Sequence, residues 1–114
     1  MCPQYLNVRL RMISVHEIGG SDTTEGKFVC EIVVAELKSL GIQAVYTKLG
    51  DELLFGDKTI GMHVNKIGDG YSIEISPYFC EEYVGIREIP ESRLNKWVGD
   101  SLKYLISIGA IAKV

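Results

Sequence analysis

Lys58-Thr59-Ile60-Gly61-Met62-His63-Val64-Asn65-Lys66-Ile67-Gly68-Asp69-Gly70-Tyr71-Ser72-Ile73-Glu74-Ile75 reads as two strands joined by a turn. On each side of the Gly-Asp-Gly cluster, apolar and polar residues alternate with a period of two, the pattern of a strand with one face on a core. If Asp69-Gly70 forms a two-residue turn, Val64 falls opposite Ile75 and Met62 near Pro77, so apolar residues share a face. A three-residue turn would instead set Val64 against Glu74. The Asp-Gly turn is therefore expected, since both residues tolerate positive φ angles. This register puts Leu53, Phe55, Ile60, Met62, Val64, Ile73 and Ile75 on the core face, and Glu52, Thr59, Gly61, His63, Asn65, Glu74 and Ser76 on the other.

Upstream, Leu6, Val8, Leu10 and Met12 alternate with Asn7, Arg9 and Arg11, which predicts a first strand between Tyr5 and His16. After Gly19-Gly20, the Ser21-Asp22-Thr23 cluster offers capping oxygens, and Asp22 with Glu25 has the spacing of a capping box. Val29, Ile32, Val33, Leu37 and Leu40 recur at steps of three and four, which predicts a helix over residues 24–40 with Gly41 as its stop. Ile42 to Lys48 and Glu52 to Phe55 read as further strands of an antiparallel meander. Downstream, residues 78–89 follow no regular period. Pro90 then suits the first turn of a second helix, whose stripe is Leu94, Trp97, Val98, Leu102, Leu105 and Ile106 and whose stop is Gly109. Strand, helix, four short strands and helix predict an α+β fold, a largely antiparallel sheet with two main helices on one face. With 114 residues, 46% of them hydrophobic, and no repeat or linker, residues 1–114 are expected to form one domain.

The stretch from Gly50 to Gly61 resembles a segment of the biotin and lipoate protein ligases. In that superfamily an Asn-Asp pair starts a strand, a short turn follows, and a Lys-x-x-Gly element opens the next strand. Asp51, Lys58 and Gly61 stand at matching positions, while Gly50 replaces the Asn and Thr59 the apolar residue that usually follows the Lys. From Leu6 to Ile75 the succession of strand, Gly-Gly loop, helix and strands also fits. The resemblance implies that Lys58 is the cation facing the activated acid, where negative charge accumulates. It also implies that Gly61 is part of the pocket floor, where a missing Cβ admits close approach, and that Asp51 lies near a nucleotide or shapes the turn. The Gly- and Arg-rich loop of those ligases lies upstream of this region, so the implied protein is one part of a truncated or divided enzyme. It would bind an acyl or carboxylate ligand, with acyl or adenylate transfer as the reaction class and Lys58 as the catalytic residue.

His63 and Asn65 share a face with Glu52 and Glu74, and Asn65 is expected opposite Glu74. Such a cluster could hold a ligand's polar groups or carry acid–base chemistry, though the pattern is first of all that of the solvent face of a sheet. Related octanoyltransferases use a Cys nucleophile, which singles out Cys80, yet Glu81 and Glu82 beside it oppose a thiolate. Cys30 reads as helix packing. Three cysteines with no CxxC pair and no zinc-type spacing suggest reduced thiols in a cytoplasmic protein, and His16-Glu17 alone does not make a metal site, so neither metal nor cofactor is expected.

Twelve Lys and Arg against fifteen Asp and Glu, a net charge of −3, disfavour nucleic acid as a partner. No stretch approaches the roughly 20 apolar residues of a membrane span. The rival reading is a non-enzymatic interaction module. Its long first strand would lie at a sheet edge and continue the sheet into a homodimer or a complementary protein subunit.

Overall fold

The computed structural model describes residues 13–18, 23–48, 59–77 and 82–111. In chain order the elements are β1 (Ile13–Glu17), α1 (Thr24–Ser39), β2 (Ala44–Tyr46), β3 (Thr59–Ile67), β4 (Gly70–Pro77), β5 (Val84–Pro90) and α2 (Glu91–Ser107). The five strands form one mixed sheet in the order β2-β1-β3-β4-β5. β1 is parallel to both neighbours, and the longer β3–β4 and β4–β5 ladders are antiparallel. Both helices pack against this sheet, which gives the α+β class expected from the pattern of apolar residues.

α1 ends one residue before the predicted limit, and its apolar stripe delivers Val29, Val33 and Leu37 to the core with no exposed surface. They meet Val15 of β1 and Ile60 and Met62 of β3, all essentially inaccessible to water. α2 adds Leu94, Val98, Leu102 and Leu105. Full burial of each such side chain contributes roughly 1.5–3 kcal/mol. Tyr71 of β4 ties the layers together. Its ring lies 6.1 Å from that of Phe28 on α1, and its hydroxyl donates to Glu91 at the start of α2.

Several expectations are corrected. The turn is Gly68-Asp69, with positive φ at Gly68 (58°), the arrangement of a turn that takes glycine at its first central position. Val64 therefore pairs with Ile73, Met62 with Ile75, His63 with Glu74, and Asn65 with Ser72 rather than Glu74. The displacement is two residues, so every side chain keeps its predicted face. β2 does not continue an antiparallel meander but pairs parallel to β1. β1 is not an edge strand: it lies between β2 and β3 with ladders on both sides, so its described residues offer no free edge for a second copy. The irregular segment before Pro90 contains β5, and Pro90 is the cap residue preceding α2 rather than part of its first turn. The proposed strand over residues 52–55 and the first part of the predicted first strand lie outside the described residues. Among the described residues no helix is long and apolar enough to cross a membrane.

Candidate functional site

β1 is buried at every position, Ile13 through Glu17, although alternation sends its side chains to opposite faces. Ile13, Val15 and Glu17 point toward the helices, and Ser14 and His16 point away. On that second face Ser14 pairs with Thr59 and His16 with Gly61, while Gly61 pairs on its other side with Ser76 of β4. The backbone N–H of Thr47 donates to the Val15 carbonyl at 2.9 Å, extending the β2–β1 ladder by one residue, so Thr47 turns its side chain to the same face. Thr47, His16, Gly61 and Ser76 thus form a row across four strands, with Ser14 and Thr59 in the adjacent row.

This part of the second face is dry. Ser14, His16, Thr47 and Thr59 retain only 5%, 4%, 2% and 6% of their accessible surface, and Gly61 is buried as well. Among the described residues the hydroxyl oxygens of Thr47 and Thr59 have no hydrogen-bond partner. Buried hydroxyls are nearly always paired with protein or water, because leaving one unmet costs about 1–3 kcal/mol. Burial also lowers the His16 pKa from its ordinary value near 6.5, so the imidazole is neutral in the folded protein at pH 7, with one ring nitrogen a donor and the other an acceptor. The row therefore combines hydroxyls able to donate, a neutral imidazole, and a strand stripped of its Cβ at Gly61.

The end of β1 is fixed by Glu17. Thr23 caps α1, its hydroxyl accepting from the Gly26 N–H at 2.9 Å. In a capping box the third helical residue would return a carboxylate to the cap's own N–H. Here that residue is Gly26, and the carboxylate comes from Glu17, which accepts from the Thr23 N–H at 3.0 Å and from its hydroxyl at 3.1 Å. A Cβ on Gly26 would collide with Glu17 Oε1. The described cap is thus Thr23 with Glu17, which holds a buried carboxylate at the positive end of a helix, and Asp22 of the expected Asp22–Glu25 box lies outside the described residues.

The residues singled out in the sequence divide into three groups. Gly61 lies in the buried row. His63 and Asn65 lie farther along β3 on the same face but are exposed, as is Glu74, and no hydrogen bond or ion pair joins them among the described residues. They form an open surface rather than a pocket. Lys58, Asp51 and Cys80 lie outside the described residues. Cys30 is buried in the core. Among the described residues no group of His, Cys, Asp and Glu is arranged to hold a metal ion. Sequence reasoning overlooked Thr47, Ser14 and His16 as members of one site. A usable signal was present: this half of the second face carries small neutral polar residues where the other half carries Glu74, and charged side chains are those least often buried.

Comparison of the chain with models of known protein families, with characterised proteins and with solved structures yields no match.

Proposed function

We propose that the chain binds a small acyl or carboxylate ligand on the second face of the sheet, over Gly61, between Thr47 and Thr59. The pair of buried hydroxyls, without partners among the described residues, carries this reading, because a ligand's oxygens would complete them. Gly61 has no Cβ to hold a ligand away from the β3 backbone, and His16 adds a neutral donor or acceptor. Hydroxyls alone do not offset the desolvation of a carboxylate. Lys58, which directly precedes Thr59 in the chain, is the cation that the resemblance to biotin and lipoate ligases assigns to that task. Binding needs no catalytic step; in an enzyme of this type the same Lys58 would stabilise charge developing during acyl or adenylate transfer.

A thermal-shift screen of biotin, lipoate, octanoate and ATP tests the reading. A ligand present at a hundredfold excess over Kd adds about 2.7 kcal/mol to the stability of the folded state. At least one of the carboxylates is expected to raise Tm, and Gly61→Val, which fills the floor of the site, is expected to abolish the rise. No shift with any of the four compounds would sink the proposal.

A further inference from the structure

The two edges of the sheet are unequal. β2 is a three-residue strand, whereas β5 runs for seven residues and, among the described residues, has no neighbour beyond it. An open groove lies between β5 and α2, lined by Ile86, Arg87, Arg93, Lys96, Trp97 and Asp100. Lys96 and Asp100 pair across one helical turn at 3.8 Å and largely neutralise each other. Arg87 and Arg93 make no ion pair or hydrogen bond among the described residues, and two guanidiniums beside the single carboxylate of Glu88 leave the groove an excess of one positive charge. On a chain whose net charge is −3, this is a local reversal of sign. Trp97, half-buried, supplies an apolar wall, and Tyr104, two turns along the same side of α2, is 48% exposed.

The backbone of β5 is irregular here. Tyr71 pairs with Ile89 and Ile73 with Ile86, so Arg87 and Glu88 together face Ser72, and Glu88 adopts a φ of 57°. That angle is unusual for a residue with a side chain, and such outliers gather at binding sites. A bulge and charged residues also guard an edge against indiscriminate pairing. A strand is then admitted only if its own charges offset those arginines.

We propose that the β5–α2 groove is a docking site for an extended acidic segment of a partner protein, which adds to the sheet beside β5 and sets its carboxylates against Arg87 and Arg93. Main-chain hydrogen bonds to the edge of β5 that no described residue pairs with would supply affinity, and the arginines with Trp97 would supply selection. The site is separate from the one over Gly61 and does not depend on it.

Trp97 is the chain's one tryptophan and reports directly on occupancy. Its fluorescence is followed while adding a capped seven-residue peptide of alternating Glu and Val, the same peptide with Lys for Glu, and the Glu peptide N-methylated at alternate residues. The Glu peptide is expected to give a saturable change that weakens as salt is raised. The Lys peptide should give none, and the N-methylated peptide, which keeps the charge but cannot pair as a strand, should bind at least about tenfold more weakly. Arg87→Glu and Arg93→Glu, both at exposed positions and checked for folding by circular dichroism, should each weaken the Glu peptide by about tenfold or more. Absence of binding, equal binding of the Lys or N-methylated peptide, or unchanged affinity in both variants would overturn the proposal. So would self-association in sedimentation that Arg93→Glu abolishes, since the occupant would then be a second copy of the chain.

Discussion

On the face of the sheet turned away from the helices, the half spanning β1 and the start of β3 carries Ser14, His16, Thr59 and Gly61, all buried. The half spanning the rest of β3 and β4 carries His63, Asn65 and Glu74, all exposed. Both halves obey the same alternation along the same strand, β3. Alternation fixes which face a side chain takes and is silent about what lies over that face. The chemistry of the side chains carries the remaining information: with a histidine in each half, hydroxyls and glycine stand where water is excluded, a carboxylate and an amide where it is not.

The buried half depends on how the end of β1 is held, and the largest effect is expected there. Gly26→Ala forces a methyl group into the Glu17 carboxylate and should cost about 1–3 kcal/mol in urea unfolding, the scale of overpacking. In a Glu17→Ala background the same change should cost little, because alanine is the better helix former and the collision is gone. Equal costs in both backgrounds would show that the carboxylate does not occupy that space.

A pH series separates the halves next. His16 has a lowered pKa in the fold, so the unfolded chain takes up a proton at this residue more readily than the folded one. Its contribution to stability is complete well above pH 6.5 and declines as pH falls below that value through the lower folded pKa. His16→Gln should flatten this decline in a series of unfolding midpoints. If the decline persists undiminished in His16→Gln, the imidazole is not the group responsible.

Smaller effects sharpen the contrast. Thr47→Val and Thr59→Val replace an unmet hydroxyl by a methyl of similar size and should leave the ligand-free protein unchanged or up to about 1 kcal/mol more stable, while removing any ligand-induced shift. A loss above that size in the ligand-free protein would mean that the hydroxyls already have partners. On the exposed half, His63→Ala and Asn65→Ala should stay within about 0.5 kcal/mol of the parent and keep the shift. Loss of the shift in either would move the site outward along β3.

Much of the scaffold was legible because it follows from periodicity. The α1 stripe, the α2 stripe and the face taken by each residue of β3 and β4 all emerge from spacing alone. The register was misread by two residues because Gly68-Asp69-Gly70 contains two glycine-bearing pairs, and local chemistry permits a turn at either. β1 was misplaced at an edge because the pairing partners of a strand are tertiary information: β3 reaches β1 from the far side of β2 in sequence. β5 was missed because its bulge at Arg87 and Glu88 breaks the period on which a strand is recognised. Of the site, Gly61 was visible through a motif. Thr47 and His16 were not, since they come from strands that meet only in the fold.

The chain has four threonines, Thr23 and Thr24 at the start of α1 and Thr47 and Thr59 on the buried row. NMR of the protein labelled at its threonine γ-methyls, titrated with octanoate, biotin and lipoate in turn, therefore reads the central claim with an internal control. The account predicts saturable shifts at Thr47 and Thr59 with at least one of these carboxylates, while Thr23 and Thr24 stay unmoved. All four methyls unchanged throughout, or shifts confined to Thr23 and Thr24, would contradict a ligand site over Gly61.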